Sequence, residues 1–236
     1  MIPIRDNVPS RTYPIVTVGL IAINSVVFLY ELSLGSRLSD FLSTFGLVPT
    51  RYFHLVELEK AYITRFLPFF TSMFLHGGWL HIIGNMWYLW IFGDNVEDRM
   101  GHIKYLIFYV LCGLAAGFVH LFTNPSSGLP TVGASGAIAG VMGAYLVLYP
   151  KARVWTLIPI FFFIRFIEVP AFIILGFWIF IQFISGTSAL MSSPSQGGVA
   201  WWAHIGGFAA GAVLVFVFRK RKRRLPKRYV DEYQPW

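Results

Sequence analysis

Four stretches of this chain, residues 12–30, 66–93, 105–150 and 169–218, contain no Asp, Glu, Lys or Arg. A run of about 18 or more such residues is long enough to cross the hydrocarbon of a bilayer as a helix, and the longest runs have room for two crossings each. Composition agrees: 56% of the residues are hydrophobic and 13% charged, with a mean hydropathy of +0.62. A soluble globular chain of this length is far less apolar and carries about twice that share of charge. The chain reads as an all-α, polytopic membrane protein.

The net charge of +8 does not point to nucleic acid, because of where it sits. Arg219-Lys220-Arg221-Lys222-Arg223-Arg224, then Lys227 and Arg228, directly follow the last apolar run. A basic cluster at that place is a cytoplasmic anchor against anionic lipid. The single Cys112 lies in an apolar segment, so no intrachain disulfide forms and a buried, inert thiol is expected. The first apolar stretch is too long for a signal-peptide core and lacks a small-residue cleavage site. Residues 15–34 are therefore expected to remain as a membrane anchor.

Six helices are predicted, over 14–34, 79–97, 103–122, 134–149, 157–185 and 200–218. Turn-forming stretches separate them, among them Thr123-Asn124-Pro125-Ser126-Ser127-Gly128-Leu129-Pro130 and Ser192-Ser193-Pro194-Ser195-Gln196-Gly197-Gly198. Residues 35–78 form a long first loop in which Phe41, Phe45, Tyr52, Phe53 and Leu55 mix with Arg51, Glu57, Glu59 and Lys60, as in an amphipathic, interface-lying segment. One domain is expected over 1–236: a 1–13 N-terminus, a 14–218 core and a basic 219–236 tail. Lys and Arg gather in the N-terminus, in the 94–104 and 150–156 connections and in the tail, whereas the 123–132 and 186–199 connections have none. The positive-inside rule then places both termini in the cytoplasm.

On that topology the polar residues of three helices converge. His81 and Asn85, four apart and so on one helix face, lie in the first turns of the second helix from the outside. Ser135 begins the fourth helix, within Gly133-Ala134-Ser135-Gly136, and His204 lies about one turn into the sixth. From Ala134 to Tyr149 is about 24 Å of helix against about 30 Å of hydrocarbon, so Ser135 should lie several ångströms below the outer interface. Gly136, Gly140 and Gly143 continue from Ser135, and Gly207 and Gly211 follow His204, in the small-residue spacing that lets membrane helices pack closely.

A serine hydroxyl becomes a nucleophile when a base takes its proton. His204 is the candidate base, and afterwards the acid for a leaving amine. Asn85, His81 and the orphan backbone N–H of Ser135 are candidate donors to an oxyanion. No Asp or Glu lies near the outer ends of the second, fourth or sixth helix, so a dyad is expected; Glu31 is the nearby carboxylate, with a structural role expected. His120 is the rival base, His76 a loop-shaping residue, and His54 and His102 are solvated. Arg165 and Glu168 form a helical ion pair in this reading. His76 and His81 do not have zinc-ligand spacing, so neither a metal nor another cofactor is called for.

In their order, Phe70-Thr71-Ser72-Met73-Phe74-Leu75-His76, His81-Ile82-Ile83-Gly84-Asn85, Gly93-Asp94-Asn95-Val96-Glu97-Asp98-Arg99-Met100-Gly101, Gly133-Ala134-Ser135-Gly136 and Ala203-His204-Ile205-Gly206-Gly207 resemble the rhomboid family of intramembrane serine proteases. The resemblance implies a six-helix bundle and a Ser135–His204 dyad, with His81 and Asn85 in the oxyanion hole. It also implies single-pass membrane proteins as substrates, cleaved near the outer face, and a prokaryotic cell membrane as the location. Two departures stand out. Some members place a Tyr one turn after the serine, stacked on the histidine, where this chain has Ala139; some place an Arg just before the Phe-Thr stretch, where Arg65 is displaced and Pro68 intervenes. The fifth helix, rich in phenylalanine from Phe161 to Phe180, has the content of a loosely held lateral gate. Two other functions stay open. A transporter or channel would carry polar residues through the full depth; a catalytically silent rhomboid-like binder would lack the serine or the histidine.

Overall fold

The computed structural model describes residues 2–57, 62–160, 163–190 and 200–220. It is a helical membrane bundle with a small sheet at one end. The elements are β1 (Ile2–Asp6), α1 (Ile15–Ser33), α2 (Leu38–Phe45), α3 (Pro49–Glu57), α4 (Tyr62–Thr71), α5 (Trp79–Met100), α6 (His102–Thr123), α7 (Ser135–Leu148), β2 (Arg153–Ile160), β3 (Phe163–Pro170), α8 (Ala171–Leu190) and α9 (Trp201–Phe218). Among the described residues α1, α6, α8 and α9 are each long and apolar enough to cross a membrane. A fifth span results if α4 and α5, bent by 80° at a short break, count as one, and α7 is apolar but shorter.

The short helix is the central one. Every residue of α7 from Gly136 to Tyr145 is buried, while α1 and α8 turn rows of large apolar side chains outward, as lipid requires. Glycines make the central position possible. A methyl group on Gly207 would run into the carbonyl oxygen of Gly136, one on Gly211 into that of Gly140, and one on Gly143 into that of Phe208. Helices α7 and α9 thus touch backbone to backbone, and α6 closes on the same helix through Cys112 and Ala116, opposite Gly140 and Gly136.

One correction concerns the fifth span. A helix over 157–185 would be about 43 Å long, well beyond the hydrocarbon thickness. Residues 153–160 and 163–170 instead pair antiparallel as β2 and β3, and the helix begins at Ala171, just after Pro170. Pro159 would interrupt a helix, and the segment is rich in Val, Ile, Phe and Trp, which suit a pleated strand. β1 adds antiparallel to β2, with a register shift between Pro3 and Arg5. The expected Arg165–Glu168 pair does not form: the two lie three apart on a strand and point to opposite faces. Glu168 meets Arg153 at 3.9 Å and accepts from Trp155 Nε1 at 2.9 Å. Phe172, Phe177 and Phe180 of α8 are exposed, whereas Phe183 meets Trp202 and Trp178 meets Phe208, so its bulky contacts with α9 are aromatic. Phe161 and Phe162 lie outside the described residues, as do Glu59, Lys60 and tail residues 221–236.

The first loop folds into short helices that brace the segment before Ser135. Apolar residues at 38, 41, 42 and 45 give α2 one apolar face, and Phe69 on α4 stacks 4.5 Å from Phe118 on α6. Leu47 and Thr131 exchange two backbone hydrogen bonds, of 3.0 and 2.9 Å, and Thr50 N–H donates to the Ser127 carbonyl at 3.1 Å.

At the opposite end of the bundle polar groups are densely paired. Pro14 precedes α1 and has no side chain to cap it. The fully buried Glu97 of α5 does so in trans, accepting from the backbone N–H groups of Val16 (2.9 Å) and Thr17 (2.8 Å), from Thr17 Oγ1 (2.7 Å) and from His102 Nδ1 (2.6 Å). His102 is therefore tied to a carboxylate and not simply solvated, whereas His54 is exposed as expected. Ser10 and Thr12 donate to Asp94 and Asp98, and Lys220 Nζ donates to the Asp98 carbonyl at 3.1 Å. The N-terminal segment, the 94–104 connection, the 150–156 connection and the start of the tail thus share one end.

Two expectations follow. Glu97→Ala leaves two N–H groups at the head of α1 unpaired, that of Thr17 buried and that of Val16 part-buried, and should lower unfolding stability in detergent by about 1–3 kcal/mol, with Glu97→Gln losing less. Asp6, on β1, accepts from Tyr145 Oη and from Asn95 Nδ2 (3.1 Å). Burial, opposed by the Tyr145 hydrogen bond and reinforced by nearby Asp94, pushes its carboxyl from 3.8 up to about 6. The docked strand therefore binds this proton more tightly than a free one, so Asp6 favours docking below about pH 4 and that contribution is lost as pH rises through about 6. Amide exchange of β1, corrected for intrinsic rates, should report easier opening across that window in wild type and a flatter response in Asp6→Asn.

Candidate active site

Ser135 is the first residue of α7, so its backbone N–H has no partner in the preceding turn and points out of the helix with the positive end of the dipole. Gly133, just before it, has φ of +127°, a conformation open to glycine. Its N–H donates to the Ser72 carbonyl at 2.8 Å, pinning the loop to the turn ahead of α5. The glycine-faced contact of α7 with α9 then sets His204 against the serine. His204 Nε2 lies 2.8 Å from Ser135 Oγ.

The other face of the site comes from α5. Asn85 is buried, and its Nδ2 has no hydrogen-bond partner among the described residues. His81 Nδ1 accepts from the Gly77 backbone N–H at 3.3 Å, which leaves the proton on Nε2. That Nε2 and Asn85 Nδ2 flank the space over Gly133: a Cβ there would lie 2.7 Å from the first and 3.6 Å from the second. Glycine at 133 therefore keeps open a small volume with two side-chain donors on one side and the head of α7 on the other. A cleft of about 1220 Å³ reaches this spot, lined by His81, Asn85, Ser135, Trp178, Trp201 and His204 among others.

The remaining sequence candidates fall outside the reacting geometry. His120, the rival base, is engaged elsewhere: its Nε2 lies 2.6 Å from Thr131 Oγ1 and its Nδ1 3.4 Å from Asn124 Nδ2. Glu31 accepts from the backbone N–H of His76 at 3.1 and 3.2 Å and so holds the turn into α5. The buried ring of His76 sits 5.2 Å from that of His81 and backs it. Among the described residues no three His, Cys, Asp or Glu side chains converge as a metal ion would require.

One residue escaped the sequence reading. Gln182 on α8 is buried, and its Oε1 lies 2.7 Å from His204 Nδ1, the nitrogen facing away from Ser135. On the same face of α8, one turn earlier, the Trp178 ring lies 5.8 Å from the imidazole at 36°. Trp178 thus flanks the histidine from α8, where Ala139 offers no ring from α7. The signal was present: a glutamine inside an apolar helix is costly in lipid unless it has a partner. Which partner it had was not visible along the chain.

The Rhomboid domain family matches residues 64–221, more than half of the chain, including all of α5 to α9. The chain is similar to Rhomboid-like protein 11, chloroplastic, of Arabidopsis thaliana, with 28% identity over 208 residues, 84% of this chain and 66% of that protein. It is similar to Rhomboid protein 1, mitochondrial, of Saccharomyces cerevisiae, with 28% identity over 177 residues, 71% of this chain and 48% of that one. A shorter match, 39% over 77 residues, is to RHOMBOID-like protein 6, mitochondrial, of Arabidopsis thaliana, and covers 32% of this chain and 24% of that protein. The chain spans about two thirds and about half of the length of the first two. With its long apolar helices and a family match over more than half of its residues, the chain is an integral membrane protein that belongs to the rhomboid family.

Proposed function

We propose that the chain is an intramembrane serine endopeptidase acting on membrane-anchored, single-pass proteins. The observation that carries this reading is the 2.8 Å approach of His204 Nε2 to Ser135 Oγ beside Asn85 Nδ2, a buried donor without a partner among the described residues. In the first step Ser135 Oγ attacks the scissile carbonyl carbon while its proton passes to His204 Nε2. The carbonyl oxygen becomes an oxyanion and receives N–H groups from Asn85, His81 and the Ser135 backbone. Collapse breaks the C–N bond, with His204 returning the proton to the leaving amine. Water from the cleft, giving a proton to His204, then adds to the acyl carbon; collapse breaks the C–Oγ bond, and His204 returns the proton to Ser135 Oγ.

Preorganised donors favour this chemistry over a binding role, since an unpartnered buried amide costs about 1–3 kcal/mol unless something uses it. A solute path through the bundle is disfavoured by the continuous burial of α7 from Gly136 to Tyr145. The basic connections and the opposed ends of the bundle support a topology with both termini in the cytoplasm and the site toward the outer face. The location proposed is a prokaryotic cell membrane, with residues 219–236 against anionic lipid.

Reconstituted protein should cleave a labelled single-pass substrate, and Ser135→Ala and His204→Ala should each reduce cleavage by more than about 10³-fold. Turnover surviving in Ser135→Ala would exclude the mechanism. A fluorophosphonate should label wild type at Ser135 without any known substrate. Asn85→Ala should lower kcat by about 10²–10³-fold with little change in KM, as loss of an oxyanion donor does. Gly133→Ala, whose methyl both strains the φ +127° backbone and fills the volume in front of His81 Nε2, should be similarly impaired. Wild-type kcat in both variants would remove the oxyanion assignment.

A further inference from the structure

The base of the proposed dyad has two ring nitrogens, and only one arrangement of its proton works. Nε2 must be unprotonated to receive the Ser135 proton, so the neutral ring must carry its hydrogen on Nδ1. A buried Nδ1–H needs an acceptor. None of the helices that build the catalytic constellation provides one: α7 presents Ser135 to the ring, and His81 on α5 and His120 on α6 are bonded to Gly77 and to Thr131 and Asn124. The acceptor comes from α8, where Gln182 Oε1 stands 2.7 Å from Nδ1. Gln182 and Trp178 are four apart, so one helix face supplies both the hydrogen bond in the ring plane and an aromatic wall against the ring.

Resting on the Ser135–His204 reading, we propose that Gln182 is a positioning residue that fixes His204 as the Nδ1–H tautomer. The site then works as a Ser–His–Gln relay of positions in which only the first two react. An amide suits this environment, because it accepts the Nδ1–H bond without placing a full charge in the low-dielectric bundle. In the transition state the same oxygen faces an imidazolium, and its dipole is already aligned.

Two substitutions separate this from a merely structural role, because the two roles order them oppositely. Gln182→Met keeps the volume and removes the acceptor; Gln182→Glu keeps the acceptor and adds a charge. A packing role tolerates the first and suffers from the second. The positioning role predicts that Gln182→Met loses about 10–10²-fold in kcat, part of the 10²–10⁴-fold a positioned base contributes, at unchanged KM. It predicts that Gln182→Glu, which keeps the acceptor and adds a charge, loses less than about tenfold and so stays above Gln182→Met. Histidine-selective ¹⁵N NMR in micelles, with the His204 signals identified by their loss in His204→Ala, gives a readout that needs no turnover. Wild type and Gln182→Glu should show a protonated Nδ1 and a free Nε2, and Gln182→Met should shift toward the opposite tautomer. An unchanged tautomer and unchanged kcat in Gln182→Met, or activity ordered Met above Glu, would overturn the proposal. A tautomer shift in Gln182→Met without any Ser135-dependent hydrolysis in wild type would support the role of Gln182 and overturn the protease reading instead.

Discussion

The bundle is organised by one contact, the backbone-to-backbone packing of α7 on α9. In lipid, no hydrophobic force drives two apolar helices together, so close approach and dispersion must do it. Gly136 with Gly207 and Gly140 with Gly211 bring carbonyl oxygens of one helix into the space that side chains of the other would occupy. That contact also sets the chemistry. Ser135 adjoins the first of these glycines and His204 lies one turn before its counterpart, so the separation of the helices and the Oγ–Nε2 distance are the same degree of freedom. A methyl group anywhere on this seam must move both.

The carboxylates at one end of the bundle and the site groups at the other are treated differently, although Asn95 Oδ1 and Tyr105 Oη near the first also have no partner among the described residues. At one end Glu97 receives four donors, Asp6 two and Asp94 and Asp98 one hydroxyl each. These groups are satisfied, and they tie the N-terminal segment, α1 and the sheet to α5. Toward the other end, Asn85 Nδ2, the head of α7 and the Nε2–H of His81 face an open cleft. Buried polar atoms left without partners are what a site keeps in reserve for a ligand or a transition state. The contrast explains why Glu31, though buried near the site, is no part of its chemistry: its oxygens are used by the backbone of His76.

Helices α1, α5, α6, α7 and α9 were legible along the chain to within a few residues, because charge-free runs bounded by turn-forming residues leave little choice in a bilayer. The segment 153–170 was not. Its apolar residues suit a strand as well as a buried helix, and pairing with β1, about 150 residues away in the chain, decides between them. The identities of Ser135, His204, His81 and Asn85 were visible because polar side chains are conspicuous in apolar sequence. Gln182 was equally conspicuous, yet nothing local says where a side chain on a separate helix points.

The sequence alone determined that this chain is a membrane-embedded bundle, which end of each helix carries its polar residues, and which residue types are available there, because burial in lipid penalises every polar group that lacks a purpose. Only the tertiary structure decided which partners those groups meet. That His204 faces Ser135 with one nitrogen and Gln182 with the other, and that Asn85 turns an Nδ2 with no partner among the described residues toward the cleft, depends on how α5, α7, α8 and α9 rotate against one another. Those rotations come from glycine contacts and backbone carbonyls far apart in the chain, and no local pattern encodes them.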